Sequence, residues 1–422
     1  MSAQVEPTTE RVSRASEMFR ALGHRNFRLF WAGAFLSNTG TWMQTVAQGW
    51  LVLHLTDSAF WLGVDGFMAT VPGLLLTLVG GVFADLVDRK RLLIATQIGA
   101  GLAALVLGVL VATGVVQVWM ILLLSFVTGC CLALASPSYQ AITIDLVGRE
   151  DLSNAIALNS TQFQLSRIVG PVLAGLTISA LGLAGCFIAN GLSYIAVVAA
   201  LVMTRISAAE NTDGIARSMK DGRALWQDLI DGFRYVLQRP RVRMLLLISA
   251  VTSLFGGPYL SMVPLFARNV LRLDENGLAL MMSITGGGAF CGALLLAFLG
   301  NFQYKGWFVL GGALSFAICL TGFALSSHVG LSLALLFGVG VSMVLFVAVI
   351  NILLQQLVTD QMRGRVMSMF VLSFLGTVPF GNLITGAAAE RYGAPRTLAA
   401  CGLISALFMV VVIIRNKPLR EL

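Results

Sequence analysis

Two ionisable residues lie inside apolar stretches of this sequence, where a charge is costly. Asp65 stands about five residues inside one such stretch, and Arg167 about 13 residues inside another. A partly buried carboxyl can exchange a proton near neutral pH, so Asp65 is a candidate proton carrier; the alternative is an acid in a wet vestibule. Arg167 is a candidate for tuning a nearby acid or binding an anionic substrate. Its alternative is a structural arginine hydrogen-bonded to carbonyls and Gln side chains.

A polar stripe runs along the first apolar stretch. It comprises Asn38, Thr41, Thr45 and Gln48, spaced three, four and three residues apart, with Gln44 beside it. That spacing places the four side chains on one face of a helix. In lipid such a face must turn towards protein or water, so the stripe predicts a polar cavity wall.

The sequence contains no recognisable catalytic or metal-binding pattern. Its three histidines are scattered, and its six cysteines lie in apolar runs without metal-ligand spacing, so we interpret the cysteines as small core residues. A phosphate-binding loop of the G-x-x-x-x-G-K-(S/T) type is absent. We therefore predict neither an enzyme nor a metal or cofactor site.

The elements that position these residues follow from composition. The 422 residues are 57% hydrophobic and only 11% charged, whereas a soluble protein carries about 25% charge. A segment needs roughly 20 apolar residues to cross a bilayer. The sequence has twelve apolar runs of about that length, six before a polar stretch and six after it. The predicted fold is an all-α membrane protein with twelve transmembrane helices in two pseudo-symmetric six-helix bundles.

The same runs divide the chain into five segments. We predict a cytoplasmic N-terminal tail at 1–26, a first bundle at 27–205, a linker with an amphipathic helix at 206–242, a second bundle at 243–415 and a cytoplasmic tail at 416–422. The linker helix is expected to lie on the inner membrane surface.

The positions of Lys and Arg orient the chain. Most of the 28 fall at the termini and in the connections on the same side, and only Arg268, Arg272, Arg391 and Arg396 fall in connections on the other side. Cytoplasmic loops are enriched in Lys and Arg, so both ends are predicted to be cytoplasmic. This bias also accounts for the net charge of +8 without a nucleic-acid partner. The first span is expected to serve as the targeting signal, because the polar N-terminus has no apolar signal-peptide core.

The two halves match at an offset of 211 residues. Seven glycine pairs coincide at that offset, including Gly81 with Gly292 and Gly170 with Gly381. The coincidence suggests a duplicated six-helix unit. Such repeats are typical of alternating-access transporters, in which the substrate site lies between the halves.

The connection after the second span resembles the corresponding loop of the major facilitator superfamily, G-x-x-x-D-(R/K)-x-G-(R/K)-(R/K). Gly81, Asp85, Arg89 and Lys90 match this pattern. The sequence departs from it at Leu86, where a basic residue is usual, and has an aspartate in place of the second glycine.

The resemblance implies a cytoplasmic latch. Asp85, Arg89 and Asp145 would form a charge relay that grips the start of span eleven, near Arg363, when the cavity faces outwards. Asp85 would accept hydrogen bonds from the N-terminus of that facing helix. The alternative is that these basic residues only follow the positive-inside rule.

The fifth span resembles the G-P element of the antiporter branch of the superfamily. Gly170 and Gly175 suit close helix packing, and Pro171 is expected to kink the helix. Members of that branch often carry an arginine in span four, where this chain has Ser125. Arg167 is the candidate to replace it.

The superfamily lines its cavity with spans one, four, seven and ten. This resemblance adds Thr252 and Asn351 to the polar stripe as candidate cavity residues.

Three further stretches resemble a narrower branch, the bacterial exporters grouped with the enterobactin exporter and macrolide efflux proteins. These stretches are 19–31, 145–160 and 363–368. The resemblance implies a monomeric secondary active transporter of the bacterial plasma (inner) membrane, a proton-coupled exporter of an amphipathic small molecule such as a drug or siderophore. The alternatives are an importer or uniporter of the same fold, or a non-transporting membrane receptor or scaffold.

Overall fold

The apolar runs form helices throughout the described part of the chain. A computed structural model describes residues 19–86, 88–204, 222–300 and 302–421, without the side chains at 77–86 and 222–229. Backbone groups inside a bilayer have no water to bind, and a helix satisfies them within one segment. The predicted all-α membrane fold is confirmed.

The first half contains five helices: α1 Arg25–Thr56, α2 Ala59–Leu86, α3 Arg89–Ala112, α4 Val118–Val147 and α5 Leu152–Met203. Helix α5 has 52 residues, which corresponds to about 78 Å, more than twice the hydrocarbon thickness of a bilayer. It is broken at Gly182, whose φ of 70° lies in a region that glycine adopts without strain. Helix α5 therefore supplies two spans, here named its first arm (152–181) and its second arm (183–203).

The linker helix α6, Gly222–Gln238, precedes the second half. The second half comprises α7 Pro240–Gly256, α8 Tyr259–Leu265, α9 Glu275–Leu299, α10 Lys305–Leu325, α11 Val329–Leu357, α12 Asp360–Leu375, α13 Val378–Tyr392, α14 Ala394–Arg415 and the short α15 Lys417–Arg420. Helices α7 and α8 continue into a π turn and make one span, and α12 and α13 make another.

Within the described residues, ten helices or joined helices are long and apolar enough to cross a membrane. The break in α5 raises that number to eleven spans. Helix α1 is not among the ten, although its 32 residues extend about 48 Å, because the polar stripe lowers its hydropathy. With α1 the described chain has the twelve spans that the sequence predicts.

The helix ends define two faces of the molecule. We name the basic face after the residues that gather there: Arg89, Arg149, Lys305, Arg363 and Arg415. The opposite face carries the other helix ends, including Asp57, Arg268 and Glu390.

Two helix pairs make the most extensive contacts between the halves. Helix α2 packs against α13, and the first arm of α5 packs against α9. At Gly63 the approach is so close that a Cβ atom would lie 2.5 Å from the Asn382 carbonyl oxygen and 2.8 Å from the Gly386 Cα. This contact holds the part of α2 nearest the opposite face, which includes Asp65, against the second half.

The halves also meet through polar contacts at the opposite face. Ser58 Oγ and the Phe60 backbone N–H donate to Glu390 Oε2 at 2.9 and 3.2 Å. Arg268 lies 3.4 Å from the Asp57 carboxylate and donates to the Leu53 carbonyl at 3.1 Å. These contacts close the opposite face over the interface between the halves.

Candidate functional site

Asp65 is the centre of a polar site in the first half. Ser125 Oγ donates to its carboxylate at 2.6 Å, and Gln48 Nε2 lies 2.9 and 3.0 Å from its two oxygens. Gln48 Nε2 also lies 2.8 Å from Ser125 Oγ. The Asp65 residue is only 9% exposed, so these donors replace the water that a carboxylate would otherwise bind.

The three residues meet because their helices place them at one depth. Asp65 is six residues after the start of α2 and Ser125 seven residues after the start of α4, while Gln48 is eight residues before the end of α1. All three helix ends lie at the opposite face. At 1.5 Å per residue, the side chains all start about 9 to 12 Å below that face.

A chain of amides leads to Asp65. Asn190 Nδ2, on the second arm of α5, donates to Gln44 Oε1 at 2.7 Å, and Gln44 Nε2 donates to Gln48 Oε1 at 3.2 Å. Each amide uses its oxygen as acceptor and its nitrogen as donor. The chain therefore turns the NH2 group of Gln48 towards the carboxylate of Asp65.

The Asp65 carboxylate is in contact with no cationic side chain in the described part of the protein. Its hydrogen-bond partners are Gln48 and Ser125, and none of the ion pairs among described residues includes it. A buried carboxylate without a counter-ion is costly unless it binds a proton or a cationic ligand. The site can therefore hold a proton or an organic cation.

Three adjoining cavities extend from Asp65 towards the basic face. The first has a volume of about 260 Å³ and lies between the halves, with Gln44 and Asp65 on one side and Ser261 and Asn382 on the other. The second, about 380 Å³, shares Thr41, Leu132 and Tyr194 with the first. The third, about 820 Å³, shares Tyr139, Gln140, Asn159 and Phe163 with the second.

The polar stripe of α1 faces these cavities. Thr41, Gln44, Thr45 and Gln48 line the first cavity, and Asn38 lines the second. Thr41 Oγ1 lies 3.3 Å from the Tyr194 hydroxyl and 3.0 Å from the Ser37 carbonyl oxygen. Thr45 Oγ1 donates to the Thr41 carbonyl at 2.9 Å.

The two candidates from the second half lie elsewhere. Thr252 is 1% exposed inside that half, and Asn351 accepts a hydrogen bond from Gln355 one turn along α11. Neither residue lines any of the three cavities. The second half instead contributes Leu260, Ser261 and Asn382 to the first cavity.

Arg167 lies in the contact between the halves. It is 9% exposed, and its guanidinium carbon is 5.1 Å from the centre of the Trp42 ring. A Cβ atom on Gly286, in α9, would lie 2.5 Å from the Arg167 carbonyl oxygen. Arg167 does not line the three cavities. Its charge is stacked on an aromatic ring between α1 and the second half.

The small residues after Arg167 occupy tight helix contacts. A Cβ atom on Gly170 would lie 2.5 Å from Trp42 Cβ and 2.7 Å from the Thr39 carbonyl oxygen. A Cβ atom on Gly175 would lie 2.8 Å from Asn276 Oδ1, in the second half. Pro171 is buried between these contacts. The segment packs α5 against α1 on one side and α9 on the other.

Part of the predicted latch lies outside the described side chains, namely Gly81 and Asp85. Arg89 begins α3, and its charge acts on Asp145 at the end of α4. Lys90 Nζ donates to the Thr204 carbonyl at 2.8 Å, which ties α3 to the second arm of α5.

Sequence reasoning missed Ser125, Asn190 and Tyr194 as site residues. The sequence marks Ser125 only as the position where the antiporter branch has an arginine, although the distance of Ser125 from the start of α4 is close to that of Asp65 from the start of α2. Asn190 and Tyr194 are four residues apart on an apolar helix, which gives a short polar stripe like that of α1. Groups of three or more His, Cys, Asp or Glu side chains that could hold a metal ion do not occur among the described residues.

Comparison with known proteins gives a family match over nearly the whole chain. A family model described as transmembrane secretion effector matches residues 16–422.

Three relatives match along at least 90% of their own lengths. The staphyloferrin A transporter of Staphylococcus aureus (strain NCTC 8325 / PS 47) is 24% identical over 400 residues, covering 93% of this chain and 97% of that protein. The multidrug efflux pump Tap of Mycolicibacterium fortuitum is 25% identical over 395 residues, covering 92% and 95%. Macrolide efflux protein A of Streptococcus pyogenes is 24% identical over 380 residues, covering 87% and 90%. The resemblance to macrolide efflux proteins is confirmed.

The fold is also that of solved transporters. A crystal structure of a mutant of the nucleoside transporter NupG superposes with a TM-score of 0.71 at 13% sequence identity, covering 94% of this chain and 99% of that one. Identity this low establishes the shared fold alone.

Proposed function

Because the chain belongs to the transmembrane secretion effector family of the major facilitator superfamily, a family of transporters rather than enzymes, we propose that it is a proton-coupled exporter of an amphipathic small molecule. The observation that carries the proposal is Asp65, a buried carboxylate without a described cationic partner that lines a cavity between the halves. The efflux proteins among its relatives support export as the direction.

The proposed orientation places the basic face in the cytoplasm. The Lys and Arg bias of the connections supports it. In this orientation the closed opposite face points outwards and the three cavities lead to the cytoplasm, as an exporter needs when it takes up its substrate. Both termini are then cytoplasmic, and the membrane is the bacterial plasma membrane.

The proposed cycle exchanges a proton for substrate at Asp65. In the proposed state that opens to the cytoplasm, Asp65 gives up its proton, Ser125 and Gln48 donate to the carboxylate, and substrate enters. When the halves rock and the opposite face opens, a proton from outside binds Asp65 and the substrate leaves. The protonated carboxyl needs fewer donors, so it returns through the membrane without a buried net charge. The proton is released when the basic face opens again.

Two further elements belong to this proposal. Asp85, Arg89 and Asp145 would latch the basic face when the cavity opens outwards, with Gly81 and Lys90 at the helix contact. Arg167, stacked on Trp42 at the joint between α5 and α9, would stabilise the state that is closed at the opposite face.

A proton-flux assay tests the proposed function. Purified protein is reconstituted into liposomes that contain a pH-sensitive dye, with an acidic interior and an alkaline exterior. Erythromycin, tetracycline and ethidium are added in turn. We expect at least one compound to accumulate inside while the interior becomes more alkaline, and to do so faster than in protein-free liposomes, because protons leave through the protein as the compound enters.

The possible outcomes separate the alternatives. Accumulation that follows the compound's own gradient and leaves the internal pH unchanged would indicate a uniporter. Movement of protons and compound in the same direction would indicate a symporter, consistent with import. Binding of a compound without any flux would support a receptor.

A further inference from the structure

The amide chain that reaches Asp65 begins at Asn190, on the second arm of α5. Asn190 is 2% exposed, and its Nδ2 donates to Gln44 Oε1 at 2.7 Å. Gln44 Nε2 donates to Gln48 Oε1 at 3.2 Å, and Gln48 Nε2 lies 2.9 and 3.0 Å from the two Asp65 oxygens. A buried amide on one helix is therefore linked through two glutamines to the carboxylate on another.

Close packing holds the far end of this chain in place. A Cβ atom on Gly40, in α1, would lie 2.5 Å from Asn190 Oδ1 and 2.6 Å from Ser193 Oγ, so the absence of a side chain at Gly40 lets the second arm of α5 approach α1. Ser193 Oγ donates to the Asn190 carbonyl oxygen at 2.7 Å and lies 3.3 Å from Asn190 Oδ1. A hydroxyl donor beside Oδ1 favours the orientation in which Asn190 presents Nδ2 to Gln44.

A chain of amides can have either of two polarities, because each amide has a donor nitrogen at one end and an acceptor oxygen at the other. In the observed polarity Gln48 presents its NH2 group to Asp65. That suits an ionised carboxylate, which only accepts. In the reversed polarity Gln48 Oε1 would face Asp65, which suits a protonated carboxyl, since its O–H can donate.

Asn190 opposes the reversal. If Gln44 turned over, its NH2 group would face the Asn190 Nδ2, and a buried donor would lose its acceptor. Leaving a buried donor unpaired costs more free energy than an ordinary hydrogen bond contributes. The buried amide at the far end therefore favours the polarity that suits the ionised form of Asp65.

The surroundings of Asp65 contain few other groups that could decide its protonation. Tyr194 is the only titratable side chain besides Asp65 among the described residues that line the first cavity, and no Glu, His, Lys or Arg is in that lining. The Tyr194 hydroxyl lies 3.3 Å from Thr41 Oγ1. Neutral hydrogen bonds, rather than a neighbouring charge, are thus the means by which the described site can favour one form of Asp65.

We propose that Asn190 is a positioning residue for proton release at Asp65: through Gln44 it holds the NH2 group of Gln48 on the carboxylate. Asp65 then gives up its proton more readily when the cavity opens towards the basic face. The inference rests on the proposed function in taking Asp65 to be the proton carrier; the hydrogen-bond chain itself is independent of transport.

The test is a titration of Asp65 by infrared spectroscopy. The full chain is reconstituted into phosphatidylcholine membranes, and the C=O stretching band of protonated carboxyl groups is followed against pH. The part of the band that is lost in Asp65→Asn belongs to Asp65. Asn190→Leu removes the buried donor at similar side-chain volume. We expect the midpoint of the Asp65 band to move to a roughly three- to tenfold lower proton concentration in Asn190→Leu, since the contribution of one neutral hydrogen bond is lost.

A second variant tests whether the residues act as one chain. Gln44→Leu should shift the midpoint in the same direction, and the double variant should shift it no further than the larger single shift, because either substitution interrupts the same chain. Gln97→Leu is the matched control: it removes an amide of the second cavity that is outside the chain, and it should leave the midpoint unchanged. Gln44 is only partly buried, so Gln44→Leu keeps the test available if Asn190→Leu does not fold.

Three results would overturn the proposal: midpoints equal to that of the parent in both single variants, additive shifts in the double variant, or a parent protein in which no titrating band is lost with Asp65. The readout involves no transport. Shifted midpoints in a protein that moves substrate without protons would refute the proposed coupling and retain the positioning role. Proton-coupled flux with unshifted midpoints would do the reverse.

Discussion

Glu390→Gln should shift the balance between the two open states. Glu390 Oε2 accepts from Ser58 Oγ and the Phe60 N–H at the N-terminus of α2, across the joint between the halves. The substitution keeps an acceptor but removes a negative charge from a helix N-terminus, an effect of about 0.3 to 1 kcal/mol. The hydrogen bonds to a neutral oxygen are also weaker, which brings the total to about 1 kcal/mol for this exposed group. That corresponds to a roughly fivefold change in the ratio of the two open states.

The assay for this prediction is a distance measurement between the halves. Spin labels at Val115→Cys and Leu331→Cys, both on exposed positions at the opposite face, are introduced after the six native cysteines are replaced. Double electron–electron resonance in nanodiscs should show the ratio of the long-distance to the short-distance population rising about fivefold in Glu390→Gln. Glu275→Gln removes another carboxylate of the same face and should change little. Equal distance distributions in the Glu390→Gln and parent proteins would refute the reasoning.

Two predictions concern the contact between α5 and α9. Gly286→Leu should destabilise the state that is closed at the opposite face by about 1 to 3 kcal/mol, because a Cβ atom at Gly286 would lie 2.5 Å from the Arg167 carbonyl oxygen. Gly287→Leu is the matched control, since a Cβ atom at that position would have no neighbour within 4 Å. The same spin-label pair measures both variants, and an equal effect at the two glycines would contradict the packing argument. Arg167→Lys keeps the charge but loses the planar stack on Trp42, so we expect denaturant unfolding to show a loss of about 1 kcal/mol. An unfolding midpoint equal to that of the parent protein would show that the stack contributes nothing.

The fold followed from features that the bilayer makes nearly obligatory. Apolar runs of the required length have to become helices, and the pairing of Gly170 with Gly381 at one offset indicated the duplication. The stripe from Asn38 to Gln48 was recognisable because a polar face in lipid needs a polar neighbour. Asp65 stood out for the same reason, as a lone carboxylate inside an apolar span.

Other site residues depend on tertiary contacts that periodicity does not reveal. The superfamily's helix order predicts Thr252 and Asn351 in the cavity, but the rotation of each helix decides which side chain faces inwards, and neither residue lines the three cavities. Glu390 gave no signal, since an acid near a helix end is common and its partners are 330 or more residues distant in the chain.

The most direct test of the central claim is proton movement in Asp65→Asn. The variant and the parent protein are reconstituted with the same internal pH dye, and substrate counterflow without a pH gradient is measured in parallel. We predict that substrate-driven proton movement is lost in Asp65→Asn while counterflow continues, and that Glu275→Gln retains both. Proton movement at the parent rate in Asp65→Asn would contradict the account, because another group, and not Asp65, would then carry the proton.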